Sequence, residues 1–210
     1  MTQTTKKHWN NVYATNEVQN LGWYEDAPIQ SLQLIAQCNL DKSAAILDVG
    51  AGATTLIDHL LQGGYTNITA VDISEIAIAA LSKRLGDDAT RVRWIIDDLT
   101  NTAHINKLLG VDLWHDRAVL HFLTKESQRQ SYFDALREVV KKGGFAIIAA
   151  FALDGAKMCC GLNVKNYDAG MLDEMLGDEF TLLATFDYNY QMPSGDFRPF
   201  VYTLFRRNID

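Results

Sequence analysis

Residues 44–56 read AAILDVGAGATTL, and this stretch sets the architecture. Residues 44–49 form a short apolar run, the pattern of a strand buried on both faces. Gly50 and Gly52 interrupt it. Residues 54–61, TTLIDHLL, continue as a helix until Gly63 and Gly64 stop it. A buried strand that turns through glycines into a helix is the first half of a parallel crossover unit.

The alternation repeats outward from there. NITAVDI (67–73) is predicted as a second strand. SEIAIAALSKRLG (74–86) is predicted as a helix with Ser74 as N-cap. RVRWIIDDL (91–99) is a third strand, and VDLWHDRAV (111–119) contains a fourth. Residues 125–142 have near-helical apolar spacing and are expected to end at Gly143 and Gly144. FAIIAAFAL (145–153) is almost continuously apolar, as a central strand should be. YDAGMLDEMLG (167–177) is a short helix. FTLLATFDYNY (180–190) and RPFVYTLFRR (198–207) flank the turn MPSGD and predict an antiparallel hairpin.

The expected fold is therefore α/β: a doubly wound, mostly parallel sheet with an antiparallel C-terminal strand. Residues 1–210 are expected to form one domain. Residues 1–43, mostly helical, cap a core formed by residues 44–210.

With 210 residues and 48% hydrophobic content, the chain can bury a sizeable core. Its formal net charge of −7 disfavours nucleic acid and anionic membrane as partners. No apolar run is long enough to cross a bilayer, and the polar start lacks a secretory core. Three cysteines, Cys38, Cys159 and Cys160, give neither a disulfide framework nor a zinc spacing. A reducing, cytoplasmic setting is expected.

Glycines at the first turn allow close backbone approach to a ligand and leave amide N–H groups free. Asp72 ends the second strand, 20 residues after Gly52 in sequence. A carboxylate there suits the ribose hydroxyls of an adenosine group. A dinucleotide fingerprint needs a glycine where Thr55 stands. Asp48, two residues before Gly50, instead follows the pattern of S-adenosylmethionine (SAM) binders.

ILDVGAGATTL resembles the first motif of the class I SAM-dependent methyltransferases, with Ala53 in place of a third glycine. VDIS (71–74), IIDDL (95–99), LWHDRAVLHFL (113–123) and GGFAIIAAF resemble later motifs of that family. More narrowly, WHDRAVLHFLT with FALDGAKMCCGLNVKNYD is similar to a group of small bacterial members. The resemblance implies a Rossmann-like seven-stranded fold, SAM as cofactor and S-adenosylhomocysteine as product. It implies cofactor contacts from Asp48, Gly50, Ala51 and Gly52, and from Asp72 and Ile73 at the ribose. Asp98 and Leu99 would meet the adenine, and Asp116 and Arg117 the methionine end.

Trp9 and Tyr13 stand four apart on one helix face and, with Trp23, suit a lid whose aromatic faces attract a sulfonium. HWNNVY matches the W-x-x-R-Y start of related methyltransferases except at Val12. His115, Asp116 and His121 are the candidate general bases. No metal set is evident, so metal-independent in-line transfer is expected. The motifs of base amino-methyltransferases and C5-pyrimidine enzymes are absent. A small-molecule acceptor is therefore expected, with a protein lysine as runner-up. Non-catalytic SAM binding and nicotinamide-dependent oxidoreduction are the remaining rivals.

Asp72→Ala should weaken SAM binding by roughly 1.5–3 kcal/mol, the range for hydrogen bonds to a charged group. Titration calorimetry of the folded variant reads this directly; unchanged affinity removes Asp72 from the ribose.

Overall fold

The computed structural model describes residues 3–209. Helices α1 (Gln3–Thr15) and α2 (Ile29–Gln37) precede the sheet. The first crossover is β1 (Ala45–Val49), α3 (Leu56–Gln62), β2 (Asn67–Asp72), α4 (Glu75–Leu85) and β3 (Val92–Ile96). Then come β4 (Val111–Arg117), α5 (Glu126–Val139) and β5 (Val140–Phe151). A small hairpin of β6 (Met158–Cys159) and β7 (Leu162–Asn163) leads to α6 (Ala169–Leu176). The long strands β8 (Phe180–Gln191) and β9 (Phe197–Arg207) close the fold.

Seven strands form one sheet in the order β3-β2-β1-β4-β5-β9-β8. β3 through β5 pair in parallel, whereas β9 is antiparallel to both β5 and β8. This is the expected α/β sheet with its antiparallel finish. One apolar layer joins α2 and α3 to the sheet through Leu34, Ile35, Leu56, Ile57 and Leu60. The other joins α5 and α6 through Tyr132, Phe133, Leu136, Leu172 and Leu176. Ser74 caps α4, its hydroxyl accepting from the Ala77 N–H at 3.2 Å.

Two boundaries differ from expectation. Helix α5 ends at Val139 rather than at residue 142, and β5 begins five residues before Phe145. Val140 is fully buried and pairs with Val111, so the sheet captures it. The ladder then shifts between Val111 and Leu113, resuming at Leu113–Phe145. The intervening Lys-Lys-Gly-Gly segment is taken up in that irregularity, which is why its glycines do not end the helix. The stretch around Cys159 and Cys160 forms the β6–β7 hairpin.

No helix among the described residues is long and apolar enough to cross a membrane.

Buried Tyr132 on α5 is the polar joint of the α5 layer. Its hydroxyl accepts from Trp114 Nε1 at 3.1 Å and donates to Asp116 Oδ2 at 2.7 Å. Tyr132→Phe should therefore lose about 1.5–3 kcal/mol of stability, because a buried carboxylate gives up a donor. Urea unfolding measures this, and a loss under about 0.5 kcal/mol would show that the bond carries no net weight.

Candidate active site

The parallel strands end along one edge of the sheet, and a cavity of about 340 Å³ opens there. That lies within the roughly 300–1,000 Å³ typical of small-ligand sites. Its lining follows the strand order. Asp72, Ile73, Asp98 and Leu99 line the β2–β3 end. Gly50 lies at the β1 tip, and Arg117, Ala118 and His121 follow β4. Phe151 of β5, Arg198 and Phe200 of β9, and Met158–Cys160 of the small hairpin close the far end.

The β1 turn is shaped by glycine. Gly50 and Gly52 have φ of 64° and 56°. A Cβ on Gly50 would run into Val119 Cγ2, and one on Gly52 into the Tyr13 hydroxyl. Asp72 holds this turn: Oδ2 accepts from the Gly52 N–H at 2.9 Å, and Oδ1 from the Ser74 N–H at 2.7 Å. Arg84 braces the next residues by donating to the carbonyls of Ala53 and Thr54 while pairing with Asp58 at 2.6 Å. Nothing local in the sequence marks Arg84 for this role, since it reaches back from the end of α4.

The N-terminal aromatics come together at one side of the cavity. Trp9 meets Trp23 at 5.9 Å and Phe122 at 4.9 Å between ring centroids, both edge-on. Tyr13 meets Trp23 at 6.0 Å. Helix α1 is tied to the start of α4 at the surface: Lys6 pairs with Glu75 at 3.2 Å, and Ser74 Oγ donates to Asn10 Oδ1 at 2.8 Å.

Of the sequence-predicted residues, Trp9, Trp23, Gly50, Asp72, Ile73, Asp98, Leu99, Arg117 and His121 line the cavity. Ala51 and Gly52 lie behind it, with the Ala51 N–H bonded to the Val71 carbonyl at 2.9 Å. Asp48 and His115 are register partners on β1 and β4. They bond to each other at 2.7 Å (Asp48 Oδ1 to His115 Nδ1), and His115 Nε2 meets Ser31 Oγ at 2.9 Å. This chain faces a separate void of about 20 Å³. Both ring nitrogens of His115 are thus engaged away from the large cavity.

Asp116 is expected at the methionine end by its carboxylate or its backbone carbonyl, but the carboxylate points elsewhere. Its side chain shares the inward face of β4 with Trp114 and is fully buried. Its oxygens accept from Tyr132, from the Val119 N–H at 2.9 Å and from the Leu120 N–H at 3.1 Å. The carboxylate is spent on fixing the turn after β4.

Arg117 is 7% exposed at its side chain. It pairs with Glu25 at 3.0 Å, donates to Tyr202 Oη at 2.9 Å and to the Trp23 carbonyl at 2.9 Å. His121 stacks on Phe151 with centroids 4.2 Å apart, and its Nδ1 accepts from the Phe151 N–H at 3.4 Å. Burial, reinforced by Arg117, pushes His121 down to about 3, so the ring is neutral near pH 7. With Nδ1 as acceptor, Nε2 carries the hydrogen and presents a donor rather than a base.

A methyltransferase-domain family profile matches residues 46–144. Over those residues the chain matches a methyltransferase domain, and its overall fold is that of the SAM-dependent methyltransferase structures it superposes on. The enzyme is 24% identical over 160 residues to EEF1A lysine methyltransferase 2 of Danio rerio, covering 70% of this chain and 68% of the relative. A SAM-dependent methyltransferase of Anabaena variabilis superposes with a TM-score of 0.76 at 13% identity, covering 98% of this chain and 94% of the other. The 1,6-didemethyltoxoflavin-N1-methyltransferase of Burkholderia thailandensis, with substrate and S-adenosylhomocysteine bound, gives 0.67 at 19% identity, covering 98% and 85%. The β1–β2 half of the cavity fits the cofactor chemically: a cradle that a Cβ would fill, a braced carboxylate and an aromatic lid.

Burial raises Asp72 and Asp116 to about 6, and raises Glu25 as well. Each group binds its proton more readily folded than unfolded, so its contribution is full below the unfolded value and lost as pH rises through the folded one. The lowered His121 works oppositely, losing stability as pH falls below its unfolded value of about 6.5. Three carboxyls outweigh one imidazole. The ligand-free methyltransferase should unfold at higher urea near about pH 5.5 than near about pH 7.5. A midpoint that falls instead contradicts these shifts.

Proposed function

We propose that this methyltransferase moves the SAM methyl group to a small acceptor enclosed in the cavity, by metal-independent in-line displacement. One observation carries the reading. Arg117 and Arg198 line the acceptor end, and the described carboxylates of the lining, Asp72, Asp97 and Asp98, sit at the β2–β3 end. An arriving lysine ammonium would face two guanidiniums against one carboxylate, Glu25, which is already paired with Arg117. A neutral or anionic small molecule meets no such barrier.

In this reading residues 1–43 act as a lid on one catalytic domain formed with residues 44–210. Asp72 takes the ribose hydroxyls, with Ile73 beside them. Asp98 and Leu99 take the adenine, and the backbone at Gly50 and Gly52 lies against the amino-acid portion. When bound, SAM supplies an electrophilic methyl on a positive sulfur. Trp9 and Trp23 face that charge and exclude water. The chain's contribution is alignment, which can supply on the order of 7–11 kcal/mol. No general base is assigned, because His115 and Asp116 are engaged elsewhere and His121 presents an N–H.

A protein lysine is the second reading, supported by the likeness to the EEF1A lysine methyltransferases.

Methyl-labelled SAM, enzyme and cell lysate separate these readings after fractionation by size. Label in the small-molecule fraction is expected. Label confined to protein, released as methyl-lysine on hydrolysis, would establish the second reading. Cofactor binding with label in neither fraction would indicate a non-catalytic SAM binder.

A further inference from the structure

Two buried nitrogens in the acceptor end have no hydrogen-bond partner among the described residues: Arg117 Nη2 and His121 Nε2. Their side chains are 7% and 1% exposed, and both residues line the same cavity. Both flank one ring, with the Arg117 guanidinium 5.1 Å and the His121 imidazole 6.3 Å from the Phe200 centroid. Each atom is a donor, since guanidinium accepts nothing and His121 Nδ1 already serves as acceptor.

Leaving two buried donors unpaired is unfavourable, and a ligand that accepts from both relieves it. The charges around them agree. Arg117 and Arg198 contribute two positive charges and Glu25 one negative, so the end of the cavity carries one unbalanced positive charge. The walls beside these donors are apolar: Phe151, Phe200, Met158 and Met192.

We propose that Arg117 Nη2 and His121 Nε2 form an anion-recognition subsite, and that the methyl acceptor is an apolar, often aromatic, carboxylate held there by its carboxylate group. The inference rests on the reading of a small acceptor and narrows it to a substrate class. Arg117 acts here by binding the acceptor and Glu25 by orienting Arg117. The same chemistry has a second source, because SAM itself bears a carboxylate, and the experiment separates the two.

The intact enzyme is loaded with S-adenosylhomocysteine and titrated by calorimetry with phenylacetate, phenylacetamide and phenethylamine. Acetate, indole-3-acetate and indole-3-acetamide are run alongside. Phenylacetate or indole-3-acetate should bind at least about tenfold more tightly than its amide, the size of one hydrogen bond to a charged group. Phenethylamine should bind weakest. Arg117→Gln should abolish the preference for carboxylate over amide. Because that change strands Glu25 in a buried site, His121→Phe is the second variant: it keeps the stacking on Phe151 and the Arg117–Glu25 pair, and should cost carboxylate binding about fivefold. Retained S-adenosylhomocysteine affinity shows that each variant is folded.

No carboxylate preference in any pair, or a preference that survives both variants, overturns the proposal. So does an Arg117→Gln enzyme that loses S-adenosylhomocysteine but keeps phenylacetate, since Arg117 would then serve the cofactor. If lysate label goes to protein while carboxylate binding follows the pattern above, the small-acceptor reading fails and the anion subsite stands as a ligand site without methyl transfer. If label goes to small molecules with no carboxylate preference, the subsite alone fails.

Discussion

The bond from the Gly52 N–H to Asp72 Oδ2 joins the tips of β1 and β2, and the cofactor half of the cavity is organised around it. It exists because Gly52 can adopt a left-handed conformation that turns its amide toward β2. The same turn removes the side chain that would collide with Tyr13, so the lid closes onto bare backbone. Asp72 is bought into a buried position by two amide donors, Gly52 and Ser74, and the second of these opens α4. Strand tip, helix start and lid are thus coupled through one carboxylate. The ties of α1 to Glu75 are exposed contacts that contribute little each, whereas its bond to Ser74 is partly buried.

The cavity is electrically polarised along the sheet. Acids cluster after β2 and β3, while guanidiniums lie after β4 and at the start of β9. This follows from topology as much as from composition. β9 runs antiparallel to β5, so its N-terminal residues Arg198 and Phe200 arrive at the edge where the parallel strands end. An all-parallel sheet would place the opposite end of that strand there. The antiparallel finish therefore supplies part of the acceptor end, whereas the cofactor end is built by the crossover units.

The gathering of residues at the β1–β2 end of the cavity was legible because its signals are local: a glycine turn, a strand-terminal acid, a cap at Ser74, and two aromatics four apart. The surroundings of β4 depend on pairs distant in sequence. His115 meets Asp48, 67 residues away, because the two are register partners on adjacent strands. Arg117 meets Glu25, 92 residues away in sequence, across the N-terminal segment. No spacing announces either pair. Asp116 falls by period-two alternation on the face of Trp114, but β4 is buried on both faces, so alternation alone does not foretell where its carboxylate is bonded.

The acceptor end has the opposite economy from its surroundings. Asp116 receives three donors, and Asp97 accepts from the backbone N–H groups of Asp98, Ala103, His104 and Ile105. Against that background, unpaired nitrogens on Arg117 and His121 are anomalous. Each buried unpaired donor costs about 1–3 kcal/mol. Five buried side-chain atoms lack a partner among the described residues, and only these two belong to residues that line the cavity. The cost falls on the ligand-free enzyme and is recovered when an acceptor group arrives, so a molecule lacking that group is rejected more strongly than its shape alone would require. In the proposed reading, specificity at this end comes from what the protein leaves unbonded beside the apolar walls of Phe151 and Phe200.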